Sequence, residues 1–254
     1  MLFTFGVFLI TILGLCVGSF LNVVIYRLPR GQTVVTGRSF CPHCGNILSW
    51  CDLVPVLSYL ILRGRCRYCG AKISWRYPLV EVVTAAIFFL VFLYFGDDLF
   101  LLLKYFFLSG LLIAAAFIDV EHYLIPDKLV LAGLVAGIIF TLLPGDLGVG
   151  VALLGAVVAG GFLFLVAVLS RGGLGGGDIK LGAVVGLFLG WPLGPLSIFL
   201  GCCLGGFAGL ILLMLRIKGR KDPLPLGPFI ALGSFVSLFW GQQVIDWYFR
   251  CLWL

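Results

Sequence analysis

Long uncharged apolar runs alternate along this chain with short breaks rich in charge, proline or glycine. Cutting at the charges leaves apolar stretches over 1–26, 81–96, 99–118, 129–145, 147–170, 181–215 and 223–245. Runs such as Val82 to Phe95 are apolar on every face. That excludes the strict alternation of a barrel strand and the single apolar stripe of a water-facing helix. A bilayer crossing takes about 20 apolar residues, so each run predicts a spanning helix. The stretch 181–215 carries no charge over 35 residues. At about 1.5 Å per residue it is long for one crossing and short for two. Its middle, Trp191-Pro192-Leu193-Gly194-Pro195, reads as a turn. Both its flanks are basic, with Arg171 and Lys180 before it and Arg216, Lys218, Arg220 and Lys221 after it. Basic loops stay in the cytosol, so the run must cross twice. The pattern predicts an all-α polytopic membrane protein with about eight transmembrane helices.

Between the first two runs lies the one long polar stretch, 27–80. The chain therefore divides into a first membrane helix (1–26), a polar segment (27–80) and a membrane bundle (81–254). The first run has no basic residue before it, unlike a cleavable signal peptide, and is expected to be retained. Composition agrees, with 62% hydrophobic and 11% charged residues among 254. A soluble fold of this size cannot bury so much apolar surface, and disorder is excluded for the same reason.

The net charge of +6 bears on orientation rather than on nucleic acid, for which no binding is expected. With 27–80 placed in the cytosol, the loops at 119–128, 171–180 and 216–222 fall on the same side. Fifteen of the 17 Lys and Arg residues then lie inside. The other two are Lys104, within a span, and Arg250. Trp247, Tyr248 and Trp253 suit an aromatic belt at the outer face. The eight basic residues of 27–80 are placed to meet anionic lipid headgroups.

Four of the nine cysteines form two C-x-x-C pairs in the polar segment, Cys41-Pro42-His43-Cys44 and, 21 residues on, Cys66-Arg67-Tyr68-Cys69. This spacing matches a four-cysteine structural zinc site. Gly45 and Gly70 follow the pairs and permit the tight turn that lets both thiolates face one ion. Zinc also explains how a segment poor in large apolar side chains keeps a shape. A pair of redox dithiols is the competing reading, and the cytosol keeps such thiols reduced. Cys16, Cys51, Cys202, Cys203 and Cys251 are scattered, and most behave as small hydrophobes.

Two acids sit where charge is expensive. Asp119 ends the third span, and Asp178 closes Gly172-Gly173-Leu174-Gly175-Gly176-Gly177-Asp178 at the mouth between spans five and six. Ionisable groups at such depth are functional candidates. Gly175, Gly176 and Gly177 let backbone pack against a substrate strand without Cβ obstruction. Two carboxylates brought together share one proton. One then serves as base on a water and the other as acid on a scissile carbonyl, the logic of an aspartic protease. His43 and His122, the only histidines, stand in no nucleophile or metalloprotease motif. Glu121, His122 and Asp127 read as loop residues. A proton-coupled transporter with intramembrane aspartates is the alternative. It predicts inverted repeats and broken helices at the midplane, and no repeat is visible in the chain.

Taken in order, several pieces resemble the type IV prepilin peptidase family (prepilin leader peptidase/N-methyltransferases, GxGD aspartic membrane peptidases). They are Gly18-Ser19-Phe20-Leu21-Asn22-Val23-Val24-Ile25-Tyr26-Arg27-Leu28-Pro29, the two cysteine pairs, Pro55-Val56-Leu57-Ser58-Tyr59 and Arg76-Tyr77-Pro78-Leu79-Val80-Glu81. Asp119 with Asp127, and Gly175-Gly176-Gly177-Asp178, complete the set, with Pro225-Leu226-Gly227-Pro228 a weaker late echo. The resemblance implies a multi-pass enzyme of the bacterial inner membrane. Such an enzyme cuts the basic leader from type IV prepilins or pseudopilins on the cytosolic side, with Asp119 and Asp178 as its dyad. It further implies N-methylation of the new N-terminus with S-adenosylmethionine, an activity of the members that keep all four cysteines. The substrates would serve a type IV pilus, type II secretion or competence. No sequence motif assigns the residues that bind S-adenosylmethionine.

Overall fold

The computed structural model describes residues 2–170, 173–217, 219 and 222–252. Arg171, Lys218, Arg220 and Lys221 of the charge pattern, Gly172 of the glycine run and Trp253 of the aromatic set lie outside the described residues, as do Met1 and Leu254. Among the described residues the regular structure is helical: α1 (Leu2–Arg27), the short α2 (Leu57–Ile61), α3 (Arg76–Phe95), α4 (Leu99–His122), α5 (Asp127–Leu142), α6 (Val149–Leu169), α7 (Gly176–Leu189), α8 (Leu193–Met214) and α9 (Gly227–Leu252). Among the described residues no strand forms, and the extended pairings are the isolated bridges Phe40 to Ile47 and Arg65 to Lys72.

Six of these helices, all but α2, α5 and α7, are long and apolar enough to cross a membrane. The other two apolar helices have 16 and 14 residues, about 24 and 21 Å of rise. The expected turn in the 181–215 run is where α7 ends and α8 begins, with Gly190 at φ +66°. Large apolar side chains point outward along the bundle, including Leu131, Val157, Phe164, Phe199 and Phe207, each more than half exposed. In water this would be an aggregating surface; against lipid tails it is the expected one.

The chain forms two compact units, Met1–Ala114 and Ala115–Leu254, and α4 runs through the boundary. In the first, α1 packs along α3. The approach is set by Gly14 and Gly18, where a Cβ would come within 2.6 Å of the Cα atoms of Ala85 and Glu81. Small residues one turn apart allow such close contact between membrane helices. Phe88 of α3 stacks on Phe106 of α4 with ring centroids 4.2 Å apart, and Leu21, Ile25, Val80, Val91 and Leu108 of the same unit are buried. Lys104 is fully buried on α4, its Nζ 5.7 Å from the centroid of the Tyr105 ring.

The second unit is built around α7. Its residues Leu181, Val184, Val185 and Phe188 have no exposure at all, as expected of a helix that is apolar all round. Backbones meet again at glycine: a Cβ on Gly155 of α6 would lie 2.5 Å from the Gly186 carbonyl of α7.

Several helix ends lie a few residues from those read in the sequence, and two of these differences fall beside the candidate acids. The third span does not stop at Ile118. Helix α4 continues to His122 and ends where Tyr123 takes φ +54°, so Glu121 and His122 are helical rather than loop residues. Within the described part of the glycine run, 173–175 are loop. Gly176, Gly177 and Asp178 form the first turn of α7, where backbone N–H groups have no intrahelical partner and a carboxylate is favoured.

Candidate functional site

The cysteine segment repeats one local design twice. Gly45 N–H donates to the Cys41 carbonyl at 2.8 Å and Gly70 N–H to the Cys66 carbonyl at 2.9 Å. Both glycines are left-handed, at φ +70° and +71°. Cys41 and Cys66 donate their own N–H groups to Asn46 and Ala71, and one isolated bridge flanks each knuckle. The two turns bring the four sulfurs within 4.8 Å of one another, with Cys41 Sγ and Cys69 Sγ 3.9 Å apart. Four thiolates around zinc at about 2.3 Å sit about 3.8 Å from each other, so the donor set fits that ion. His43 is not part of the group.

Side chains brace this segment. Arg27, buried at the end of α1, donates to the carbonyls of Thr33, Thr36, Gly37 and Arg38. The Asp52 carboxylate accepts from Ser49, from Arg67 Nε at 2.7 Å and from the Tyr68 hydroxyl. It thus ties the turn at 49–52 to the second knuckle. Burial pushes the Asp52 carboxyl up, but the hydrogen bonds from Ser49, Arg67 and Tyr68 outweigh it and hold the pKa at about 2.

The two candidate acids both belong to the second unit. Asp119 is 5% exposed, and its Oδ2 accepts the Gly227 N–H of α9 at 2.7 Å. Asp178 is half-buried at the third position of α7 and accepts the Gly175 N–H. Helices commonly begin with this back-reaching carboxylate. Its Oδ1 is buried with no hydrogen-bond partner, and the charge of Asp119 acts directly on it. The fold thus couples two carboxylates 59 positions apart in sequence. Each is steadied on one side by a backbone amide, and Asp178 has one oxygen left over for a water or a shared proton.

The glycines have distinct jobs. A Cβ on Gly177 would lie 3.0 Å from Ile125 Cβ and 3.2 Å from its carbonyl, so glycine lets the start of α7 close on the chain after α4. Gly176 faces open space, and a Cβ on Gly175 would meet Asp178 Oδ2 at 3.1 Å. Gly175 and Gly176 are exposed. Asp127, the first residue of α5 rather than a loop residue, bonds Lys180 in an exposed ion pair, a contact worth little.

Two neighbours were not legible as such. Gly227 lies in the segment noted only as a weak echo, yet a Cβ there would sit 2.9 Å from Asp119 Oδ2. Cys202 of α8, read as a small hydrophobe, is close enough to Asp178 for the two to interact.

Comparison with known proteins finds relatives along nearly the whole chain. Residues 12–95 match the Bacterial Peptidase A24 N-terminal domain, and residues 106–210 match the Type IV leader peptidase family. Similar proteins include the prepilin leader peptidase/N-methyltransferase of Aeromonas hydrophila, 35% identical over 94% of this chain and 92% of that one. Those of Bacillus subtilis (37%, covering 94% and 96%) and Pseudomonas aeruginosa (36%, covering 94% and 92%) are alike in extent. No solved structure matches. The transporter reading gains no support from any of these relatives. With two family domains in order and relatives aligned over nearly the whole chain, this protein belongs to the prepilin leader peptidase/N-methyltransferase family.

Proposed function

We propose that this protein removes the leader from type IV prepilins or pseudopilins with Asp119 and Asp178 as its acid–base pair, and N-methylates the new N-terminus. The observation that carries the reading is the coupling of a buried and a half-buried carboxylate beside an exposed glycine turn. One carboxylate draws a proton from water while the other gives its proton to the scissile carbonyl oxygen. The adduct then collapses, with the proton returned to the departing amine. Like charges at close range keep one proton on the pair. The amides of Gly227 and Gly175 hold each carboxylate in place without consuming that proton.

The protein is a multi-pass membrane protein. We place it in the bacterial inner membrane with eight crossings, α5 and α7 included. The Cys-rich segment and both carboxylates then lie on the cytosolic side, a placement supported by the inside bias of Lys and Arg. The organisation is a first helix (1–26), a zinc-binding segment (27–80) held by Cys41, Cys44, Cys66 and Cys69, and a bundle (81–254) that carries the peptidase chemistry. S-adenosylmethionine supplies an electrophilic methyl group on a sulfonium. The substrates build a type IV pilus, a type II secretion pseudopilus or a competence apparatus, and lipid surrounds the bundle.

Prepilin cleavage by Asp119→Asn and Asp178→Asn tests the reading. Each should lose at least about a hundredfold in rate, the low end of acid–base catalysis. The double variant should be no worse, as for residues acting as a unit. Asp127→Asn should lose much less. An Asp178→Asn protein that inserts normally and still cleaves at near the unaltered rate would overturn it.

A further inference from the structure

The relatives' names carry two activities, and the carboxylate pair accounts for one. The first unit holds a second buried polar group that the peptidase reading does not use. Between α1 and α3, Glu81 is 7% exposed. Its carboxylate accepts the Val56 N–H at 2.7 Å and the Ser19 hydroxyl. One helical turn from Ser19, Asn22 is 3% exposed. Its Nδ2 donates to the carbonyls of Gly18 at 3.3 Å and Tyr77 at 3.0 Å. Those two carbonyls fix the orientation of the amide, and its Oδ1 is left buried without a donor. Ser19, Asn22, Val56 and Glu81 all fall in the sequence segments that the acid pair leaves unexplained.

The chemistry of this group is one-sided. A carboxylate offers about four acceptor sites, and among the described residues Glu81 receives two donors, both neutral. Among the described residues no cation pairs with it. Beside it stands a second acceptor with nothing to accept. A buried carboxylate within a membrane helix pair is expensive without a positive partner. Glu81 also holds Val56 at φ +61°, ψ −49°, a conformation that a β-branched residue adopts only at a cost. Such strain persists where the surroundings enforce it, often at ligand sites. Carboxylate, hydroxyl and orphan amide oxygen together suit an organic cation, an ammonium through its N–H groups or a sulfonium through its positive charge.

We propose that Glu81, Ser19 and Asn22 form the cation site of the methyl-transfer reaction, which rests on the family reading above. The cation is an ammonium or sulfonium. It comes either from the free N-terminus of the cleaved substrate or from S-adenosylmethionine. In the first case Glu81 takes a proton from the substrate ammonium. The freed nitrogen lone pair then forms the N–CH3 bond as the C–S bond breaks, with its electrons left on sulfur. The product is a methylated ammonium, a neutral thioether and one proton, which passes from Glu81 to solvent. In the second case Glu81 holds the donor's positive charge and the proton goes to solvent directly.

Binding ratios within one protein test this without depending on how much of a variant is folded. The full-length protein in nanodiscs is titrated with two pairs of probes. One pair is S-adenosylmethionine against S-adenosylhomocysteine, which lacks the sulfonium charge. The other is a short Phe-initiated peptide with a free amine against the same peptide acetylated. The unaltered protein should prefer the cation in at least one pair by tenfold or more. Glu81→Gln keeps an acceptor for the Val56 amide but removes the charge, and should abolish that preference. Asn22→Leu should reduce it. Loss confined to the first pair identifies the donor as the cation; loss confined to the second identifies the substrate amine. No preference in the unaltered protein, or a preference that survives Glu81→Gln, overturns the proposal. Failure of the peptidase reading is separate: it would show as absence of prepilin cleavage by the unaltered protein.

Discussion

The two units hold their reactive groups by opposite means. In the first, long polar side chains reach out to backbone. Arg27 satisfies four carbonyls of the 33–38 loop, Asp52 gathers the 49–52 turn and the second knuckle, and Glu81 takes the Val56 amide. In the second, the backbone reaches in to the side chains, and glycine permits it: Gly227 and Gly175 present their amides to Asp119 and Asp178. The difference follows from what each region lacks. The cysteine segment has almost no regular structure, so its buried backbone groups must find side-chain partners. The bundle is helical and satisfies its own backbone. What remains to be set there is how closely elements approach, and that is governed by missing side chains. The first region should therefore fail when a polar group or metal is removed, and the second when a carbon atom is added.

The largest effect is expected from adding carbon at Gly227. A Cβ there would lie 2.9 Å from Asp119 Oδ2 and 3.0 Å from Asp119 Cβ, and both belong to a buried side chain with little room to yield. Gly227→Val should push the carboxylate off its amide and away from Asp178. Cleavage, read in single turnover, should fall by at least about a hundredfold, as if the acid itself were removed. The metal content should stay that of the unaltered protein, because the cysteines belong to the other unit. Near-normal cleavage in Gly227→Val would erase the distinction between the two regions.

Removal of metal should do the reverse. Apparent binding energies of structural zinc sites in small peptides are about 10–16 kcal/mol at neutral pH, more than the knuckle hydrogen bonds supply by themselves. Cys41→Ser, or a strong chelator, should leave a chain with less than one zinc. Its 31–75 segment should become open to proteolysis, and methylation of a pre-cleaved substrate should fall at least tenfold. Cleavage should fall by no more than a few-fold. Metal analysis with limited proteolysis reads the first part, and mass spectrometry of the substrate N-terminus reads the second. An intact segment in metal-free protein would show that the side-chain braces suffice.

Much of this contrast could be read from the chain itself. The spacing of four cysteines, each pair followed by glycine, anticipated a sulfur cluster because the constraint is local: two short turns and one loop. The apolar runs anticipated the long helices for the same reason. The acids were harder. Their positions followed from charges embedded in apolar sequence, but the helical state of Glu121 and of Gly176 to Asp178 depends on caps that periodicity does not encode. Gly227 was legible only as a faint motif, because its role is a contact with a residue 108 positions earlier. The Asn22 and Glu81 group lay inside recognisable segments. Its meaning depends on which acceptors are left unmatched, and only packing reveals that.

The smallest effect concerns Asp52, where charge rather than shape is at stake. Its carboxyl stands at about 2 in the folded segment, against an ordinary value of 3.8. A depressed carboxylate stabilises the fold fully above its ordinary value. That contribution is lost as pH falls through the folded value, when the unfolded form has already taken up its proton. Asp52→Asn keeps the shape and removes the charge, so comparison with the unaltered protein isolates this contribution from the acid lability of the thiolates, which both share. Hydrogen exchange of the 49–53 turn should be faster in Asp52→Asn at pH 6. The gap should narrow below about pH 4 and close near pH 2, the window those two values define. The magnitude should be modest, because Arg67 is half exposed and water screens such pairs. A gap of constant size from pH 6 to pH 2 would mean that the turn responds to the amide's altered hydrogen bonding rather than to lost charge. The first unit would then owe its shape to hydrogen-bond geometry and metal alone.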